Sequence, residues 1–565
     1  MPVIETEVHQ RLRAYLREQG HTQWPHHLTM ARLVARALRV GRSALIQTDS
    51  LAAYKGTHRL SYLIPALLWP EPAVLALPKS VCETVLQQDI PNLQQSLPVI
   101  KPVQVGDRWP GDDFRGLLVT AIDDWLGDRL VSLTCASADA AYQSRFPAGI
   151  PTLIDGADAL EQLIRAQLSI SISSQDWDGL MLAYPSQHTA IRDLRVRLTH
   201  TIFQHPANPY SCHLIDELEA DLLCELHQVL QPGIEDGRLP LCWQRFWQRF
   251  FQPERLAWSY LNRDLGSVEL FCAPADIQAL LEPVWSQQPI VLMGTALDTD
   301  KQAKQYRDRL GLGDMTCLRF APDRHHDLIQ LYLPDRLPMP NTSRFKAAVL
   351  LEIRSLLSAR HTALRERHCG FADSFPADEA LTDGVHANRM SADGPTVIVV
   401  GDTPLRTQFA SILAAEYGSR VQVESVVGPG GVLVTGWDYW LANRAAFAPP
   451  GLLIITTLPI PSLENPLVSG RVATYKRRRQ DWFKAYLLPE TLSVLQRAIA
   501  PVRLYSGAGG GVVALLDNRV NYRSYGRQIL SALSPAARSS YLDPTWFYQV
   551  ACPMPTPGKK ATDNR

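Results

Sequence analysis

Residues 57–88, THRLSYLIPALLWPEPAVLALPKSVCETVLQQ, decide the fold. Apolar residues at helical spacing run over Leu60–Leu68, five consecutive apolar residues form a strand at Ala73–Leu77, and a second helix follows over Ser80–Gln88. A fully apolar strand between two helices belongs to a parallel sheet covered on both faces. The alternation continues outward. Upstream, an amphipathic opening helix precedes LTMARLVARALRVGRSALIQT (28–48), a helix that runs into a strand over Ser43–Gln47. Downstream, strands are expected at Gly116–Thr120, Thr152–Ile154 and Pro289–Met293, and in the second half at Thr396–Val400, Gly431–Thr435, Leu452–Thr456 and Val512–Leu516.

Between Gly156 and Trp285 the pattern turns helical and polar with aromatic clusters, which reads as a helical insertion in the first domain, about 160–285. The Pro-rich piece LYLPDRLPMPN (331–341) reads as a linker, so the expected domains are 1–341 and 342–550, with a disordered tail over 551–565. Residues 368–394, polar and aperiodic, read as a mobile loop. The expected class is α/β, with two parallel-sheet domains.

A chain of 565 residues exceeds one ordinary core, and length alone suggests about three to four domain-sized units. With 46% hydrophobic and 20% charged residues it has the material for large cores. Its 56 basic and 56 acidic residues cancel, so any contact with nucleic acid must rest on local patches. The N-terminus lacks the apolar core of a secretory signal, and no run reaches membrane-spanning length. Nine scattered cysteines fit a reducing compartment, and the expected location is the cytoplasm, with no membrane partner.

Six segments, in order, resemble the DinG/XPD group of superfamily 2 DNA helicases: THRLSYLIPALL (57–68), LALPKSVCETVLQQDIPNL (75–93), PTLIDGADALEQLIRAQL (151–168), TTLPIPSLENPL (456–467), KAYLLPETLSVLQRAI (484–499) and GGVVALLDNRVNYRSYGRQILSAL (510–533). The last three are the most specific. The resemblance spans most of the chain. It implies two RecA-like domains of the P-loop NTPase fold, with ATP and magnesium as cofactors and single-stranded DNA or another nucleic acid as partner. Against this template the residues of the chemistry depart.

A phosphate loop needs glycines whose amides converge on the phosphates, a Lys for the outer phosphates, and a Ser or Thr hydroxyl for magnesium. Carried over by the resemblance, this motif falls on Ala53, Tyr54, Lys55, Gly56, Thr57, His58 and Arg59, so His58 takes the Lys position and Arg59 the Thr position. A neutral imidazole does not replace an ammonium, and a guanidinium does not ligate a cation. The cofactor-binding candidates are therefore Gly56, Thr57, His58 and Arg59, in a cradle expected to be poorly formed. Lys55 and Arg59 also read as an ordinary solvated loop of mixed charge.

The family's Asp-Glu-Ala-His tetrad falls on Asp155, Gly156, Ala157 and Asp158, which leaves a metal-anchoring carboxylate without the Glu that orients water. Asp155 is thus the candidate metal ligand and catalytic residue, and equally a candidate cap for the following helix. In the last motif, Gln496 and Arg503 are kept as catalytic candidates while the arginine-finger position is Ala500. Loss of such a finger costs a factor on the order of 10³ to 10⁵ in turnover. The coupling motif falls on Gly294, Thr295 and Ala296, and a further motif is reduced to Gly436, Trp437 and Asp438.

Only Cys82 and Cys135 lie where XPD-type relatives place four cluster ligands, so no iron–sulfur cluster is expected. Cys212, His213, Cys224 and His227 are of metal-ligand types but match no zinc spacing. The Gly507–Gly511 run lacks a Lys, leads into a strand and reads as a turn. In CWQRFWQRFF (242–251), one face carries Trp243, Phe246, Trp247, Phe250 and Phe251, which reads as a packing stripe, with base stacking as the alternative. The nucleic-acid candidate is the run Lys476, Arg477, Arg478 and Arg479 beside Trp482, against a plain solvated face. Three functions stay open: a helicase homologue that binds nucleic acid with its ATPase lost or impaired, an active ATP-dependent DNA helicase, and a protein-interaction scaffold.

Overall fold

A computed structural model describes residues 4–18, 24–97, 101–134, 144–235, 237–323, 327–372, 394–505 and 510–547. Contacts divide the chain into two compact units, Met1–Phe320 with Ile460–Glu490, and Ala321–Pro459 with Thr491–Arg565.

In the first unit the strands are β1 (Ala44–Thr48), β2 (Ala73–Leu77), β3 (Val103–Val105), β4 (Leu117–Ala121) and β5 (Thr152–Asp155). An inserted set follows, β6 (Ile170–Ile172), β7 (Cys212–Leu214), β8 (Arg255–Asn262) and β9 (Ser267–Pro274), before β10 (Ile290–Thr295) and β11 (Thr316–Arg319). Seven of these make one parallel sheet in the order β11-β1-β10-β5-β2-β4-β3. Its central strands are buried at every position, because helices lie on both faces. The two-residue period assigns side chains to the faces. Ala73, Leu75 and Leu77 join the core under the Ile4–Glu18, His27–Val40 and Leu60–Leu68 helices, while Val74 and Ala76 join the opposite core under the Ile122–Thr134 and Leu160–Leu168 helices.

The insertion is not purely helical, as the sequence suggested. It carries an antiparallel sheet, β6-β9-β8-β7, packed on helices that include Leu241–Phe250. Strands β8 and β9 were hidden because polar and aromatic residues alternate on them without a long apolar run, as ARG-LEU-ALA-TRP at 255–258 illustrates.

The second unit holds β12 (Ile329–Tyr332), β13 (Thr396–Val399), β14 (Val421–Val423), β15 (Val432–Thr435), β16 (Leu452–Ile455), β17 (Val512–Leu515) and β18 (Ala536–Ser539). They form a parallel sheet in the order β14-β15-β13-β16-β17-β12-β18. Residues 331–332, expected to begin a linker, are thus in a strand, and position 341 falls inside the second unit. Residues 368–372 of the expected loop are helical, within Phe345–Ala372. The rest of that loop through 393, and the tail over 551–565, lie outside the described residues.

Residues Ile460–Glu490 group with the first unit although they follow β16 in the chain. The Pro466–Arg477 helix lies against β7 and β8, and Gly470 permits the approach: a β-carbon there would stand 2.3 Å from Leu256 Cδ1. Arg309 extends the attachment, lying 3.4 Å from Glu161 and 3.7 Å from Glu490.

Candidate functional site

The chain leaving β1 does not open into a loop. Asp49 caps a single helical turn, Ser50–Lys55, accepting from the Ala52 amide at 2.8 Å. Gly56 ends that turn with φ +72°, a left-handed conformation that glycine adopts without strain. Thr57–Arg59 follows as a short 3₁₀ turn before the Leu60–Leu68 helix. Four of the backbone amides along this stretch are engaged within the chain. Ala52 donates to the Asp49 side chain, Ala53 to the Asp49 carbonyl, Gly56 to the Ala53 carbonyl, and Arg59 to the Gly56 carbonyl. A phosphate cradle requires such amides to be free and convergent.

His58 is buried, 3% exposed, and faces two groups that only accept. One ring nitrogen, Nδ1, lies 3.2 Å from the Ala52 carbonyl, and Nε2 lies 3.1 and 3.2 Å from the two Asp155 oxygens. With an acceptor at each ring nitrogen, the geometry favours the doubly protonated ring. Burial opposes that charge most strongly, yet the Asp155 carboxylate and its hydrogen bond outweigh it and hold His58 above its ordinary value. For Asp155 burial is again the largest effect and acts upward, while His58, Tyr62 and Arg59 carry the carboxyl below its usual range.

The third member is Tyr62, fully buried, whose hydroxyl donates to Asp155 Oδ2 at 2.8 Å. Burial, then the Asp155 charge, drives this phenol far above its ordinary value, so it remains a donor. Tyr62 escaped the sequence reading. Its signal was there, because positions 58 and 62 are one helical turn apart and share a face.

Asp155 ends β5 and pairs in register with Met293 of β10. Both carboxylate oxygens are occupied by side chains, and the following helix, Leu160–Leu168, receives no side-chain cap. The alternative role of Asp155 as a helix cap is therefore corrected: its hydrogen bonds run to His58 and Tyr62. Gly156, in the position of the water-orienting Glu, has φ +96°, and a β-carbon there would meet Pro78 Cγ at 2.7 Å. Strain and collision both disfavour a side chain at that position. The residues present do not fit magnesium–ATP, because His58 and Tyr62 hold the Asp155 carboxylate and no Lys or Ser/Thr stands at the two positions that would meet phosphate and magnesium. Arg59, at the hydroxyl position, pairs with Asp89 at 3.1 Å.

The remaining candidates are dispersed. In the second unit the Arg503 guanidinium donates to the backbone carbonyls of Asp327, of Pro535 at 2.9 Å and of Leu533 at 2.7 Å, which ties loops together. Gln496 is half-buried on the Leu488–Ile499 helix, and Ala500 is buried. Thr295 is buried at the end of β10 with its hydroxyl unbonded. Residues 507–509 and Cys135 lie outside the described residues, while Gly510 and Gly511 lead into β17.

The basic run groups with the first unit, where the sequence reading put it in the second domain. Arg478 pairs with Glu254 and with Asp276 at 2.8 Å, Lys476 sits 5.5 Å over the Trp482 ring, and Arg477 donates to the Thr474 hydroxyl at 3.2 Å. Arg479 is exposed. Trp243, Phe246, Trp247 and Phe250 are buried in the core of the insertion, which rules out base stacking on them, and Phe251 is half-exposed.

Of the four residues of metal-ligand type, Cys212 is buried in β7 and the His227 ring packs on Trp247 and Phe251 at 5.0 and 4.7 Å. His213 stacks on His205, a residue the sequence reading passed over. His205, Asp216 and Glu219 hold ligand-type atoms within 4.8 Å of one another. Asp216 and Glu219 cap each other's amides at 2.9 and 3.1 Å, and His205 bonds Glu219 at 2.9 Å, so the group reads as a helix start. The D-x-x-E spacing before an apolar helix was its legible signal. No helix among the described residues is long and apolar enough to cross a membrane.

No family model matches the chain. It is 29% identical over 130 residues to the ATP-dependent DNA helicase YoaA of Escherichia coli, a match covering 23% of this chain and 20% of the relative. It is 27% identical over 112 residues to YoaA of Haemophilus influenzae, covering 20% and 17%. The chain therefore matches about a fifth of the length of these curated relatives. Among solved structures, an XPD helicase superposes with TM-score 0.52 at 10% identity over 92% of this chain and 100% of that one. The Xpd4 protein of S. tokodaii gives 0.50 at 12% identity over 91% and 100%. Two parallel-sheet α/β units in this arrangement of strands are RecA-like, the fold that the XPD helicase structures share, and the sequence matches add a resemblance to DNA helicases over about a fifth of the chain.

Proposed function

We propose that this protein is a nucleic-acid-binding homologue of DinG-type helicases, acting in the cytoplasm, whose ATP site is closed by its own side chains and no longer turns over nucleotide. The observation that carries this reading is the buried Asp155–His58–Tyr62 cluster. A magnesium ion would need the carboxylate that His58 and Tyr62 occupy, and a phosphate would need amides of which Ala52, Ala53, Gly56 and Arg59 are already bonded within the chain. Opening the cluster would break the hydrogen bonds of Asp155 to His58 and Tyr62, so ligand binding here opposes an internal interaction. Gly156 supplies no base and Ala500 no arginine finger, which removes the chemistry independently of binding.

The test is calorimetric titration of the full chain with ATP and ADP in the presence of magnesium, with phosphate release measured alongside, with and without single-stranded DNA. The expected result is affinity weaker than about 1 mM and no DNA-stimulated release. Micromolar binding with magnesium-dependent turnover would overturn the reading in favour of an active helicase.

A further inference from the structure

A joint inside the insertion brings an imidazole and two carboxylates to one place. His205 follows the His188–Phe203 helix, Asp216 and Glu219 open the Glu217–Glu235 helix, and β7 runs between them. One ligand-type atom from each of the three lies within 4.8 Å of the others. The bonds that start the helix use only part of this set. Asp216 Oδ1 accepts from the Glu219 amide at 2.9 Å, and Glu219 Oε2 accepts from the Asp216 amide at 3.1 Å. Glu219 Oε1 faces His205 Nε2 at 2.9 Å, and the second Asp216 oxygen has no hydrogen bond among the described residues.

Glu219 is fully buried, and His205 is the one side chain hydrogen-bonded to it among the described residues. A carboxylate taken out of water needs compensating positive charge. Asp216 and Glu217 add exposed carboxylates beside it, while Arg263, the cation that reaches this joint, donates to the backbone carbonyls of Phe203 and His205. His213 of β7 stacks on His205, with ring centroids 4.6 Å apart and planes within 13°, which fixes the plane of the imidazole. A further polar atom lacks a partner here. Ser259 pairs in register with His213 across β7 and β8, so both side chains leave the sheet on one face, and its fully buried hydroxyl has no hydrogen bond.

We propose that His205 Nε2, Glu219 Oε1 and one Asp216 oxygen bind a divalent transition-metal ion of the zinc class, which ties the start of the Glu217–Glu235 helix to the end of the His188–Phe203 helix. The donor set selects the ion. Imidazole beside carboxylates suits zinc, whereas magnesium and calcium take oxygen ligands. Zinc bonds of about 2.0–2.2 Å set neighbouring ligand atoms about 3.0–3.4 Å apart, so the 2.9 Å between His205 and Glu219 has to widen only slightly. The ion takes the place of the proton between those two atoms, and the ring ligates as a neutral imidazole that keeps its proton on Nδ1. Asp216, being exposed, closes on the ion from the solvent side, and water completes the coordination. His213 is a positioning residue. None of these groups belongs to the Asp155 cluster, so the site stands or falls apart from the nucleotide chemistry.

The experiment is isothermal titration of the chelator-treated full chain with zinc, and with magnesium as the control, for the wild type, His205→Gln and Glu219→Gln. Both substitutions keep a polar group at the joint and remove a ligand. Zinc taken up by cysteines and other histidines appears in all three proteins, so the difference is what counts: the wild type is expected to bind one more equivalent than either variant. Asp216→Asn is expected to weaken that equivalent about tenfold or more. A thermal melt should rise with zinc in the wild type, fall back on chelation, and rise less in the variants. Equal zinc uptake by the wild type, His205→Gln and Glu219→Gln, or uptake of magnesium in place of zinc, would overturn the site. Circular dichroism shows whether each variant keeps its fold. Should a buried-site variant lose it, Asp216→Asn, an exposed position, carries the test, and unchanged zinc affinity there overturns the proposal.

Discussion

At the end of β5 in the first unit, Asp155 is buried against His58 and Tyr62. At the end of β17 in the second, Asp517 is buried against Arg519 and accepts from the Leu458 amide at 2.8 Å. Both carboxylates sit at the carboxyl edge of a parallel sheet, the place where open α/β folds bind ligands. Their surroundings differ. Around Asp155 the partners His58 and Tyr62 are themselves buried, whereas around Asp517 the sheet edge continues into exposed residues such as Tyr522 and Arg523. A site whose charges satisfy one another is a core, and a site whose charges are left to solvent is a surface for something else. The two sheet edges thus differ in whether the buried carboxylate's surroundings are closed or open to solvent.

The sharpest way to break this contrast is Asp155→Ala. It removes the acceptor that His58 and Tyr62 share, His58 sheds its proton in the dry site, and denaturation should show a loss of ~1–3 kcal/mol for each buried donor left unpaired. Replacing Asp155 and His58 together by leucines should cost less, since only the Tyr62 hydroxyl is then left without its acceptor. If the single variant costs no more than a surface ion pair, the cluster is solvated and the first site is open after all.

Acid should act next most strongly, through His27. This residue is 2% exposed, its Nδ1 lies 2.9 Å from the Ser61 hydroxyl, and burial, with His58 and His26 beside it, holds it down at about 4 against an ordinary 6.5. Between those values the unfolded chain binds a proton that the folded chain refuses, so stability falls as pH falls from about 6.5 to about 4, by ~3 kcal/mol. His58 has the opposite sign. Raised in the folded state, it contributes stability that is complete below its ordinary value and lost as pH rises through its folded one. Asp155, lowered, contributes above its ordinary value and loses that contribution as pH falls through its folded one. Urea denaturation of the wild type and His27→Gln from pH 7 to pH 4 should show a steep acid limb in the first and a flatter one in the second.

Restoring the water-orienting Glu by Gly156→Glu is expected to cost ~1–3 kcal/mol, from positive φ and the Pro78 collision, without producing ATP turnover. Measurable hydrolysis by that variant would show that one missing base, and not the closed cradle, silences the site. The smallest effect is expected at the edge of the first unit. Arg478→Ala breaks partly exposed ion pairs to Glu254 and Asp276, and a thermal melt should register less than ~1 kcal/mol.

Much of the fold was legible because buried parallel strands are short apolar runs. Ala73–Leu77 was read with the bounds it has, and the other strands read from sequence fall within a residue or two of their observed ends. The edge strands β3, β11, β14 and β18 were missed, since three or four residues with polar positions carry no such signature. Strand β12 was taken for part of a linker because its apolar run is cut short by Pro334. The insertion's sheet was missed for a related reason: antiparallel strands with one wet face dilute the apolar signal.

By itself the sequence determined the alternation of strands and helices, and which chemical groups occupy the positions where the resemblance places catalysis: an imidazole for an ammonium, a glycine for a carboxylate, an alanine for a guanidinium. It could not decide what those groups do with one another. His58, Tyr62 and Asp155 are separated by up to 97 residues, and only the pairing of β1, β10 and β5 brings them into one dry volume where the carboxylate raises the histidine's affinity for its proton. The same holds for Ile460–Glu490, which sequence order assigns to the second half and packing against β7 and β8 assigns to the first unit. Charge and burial are properties of neighbours in space, and the identity of those neighbours is fixed when the sheets close.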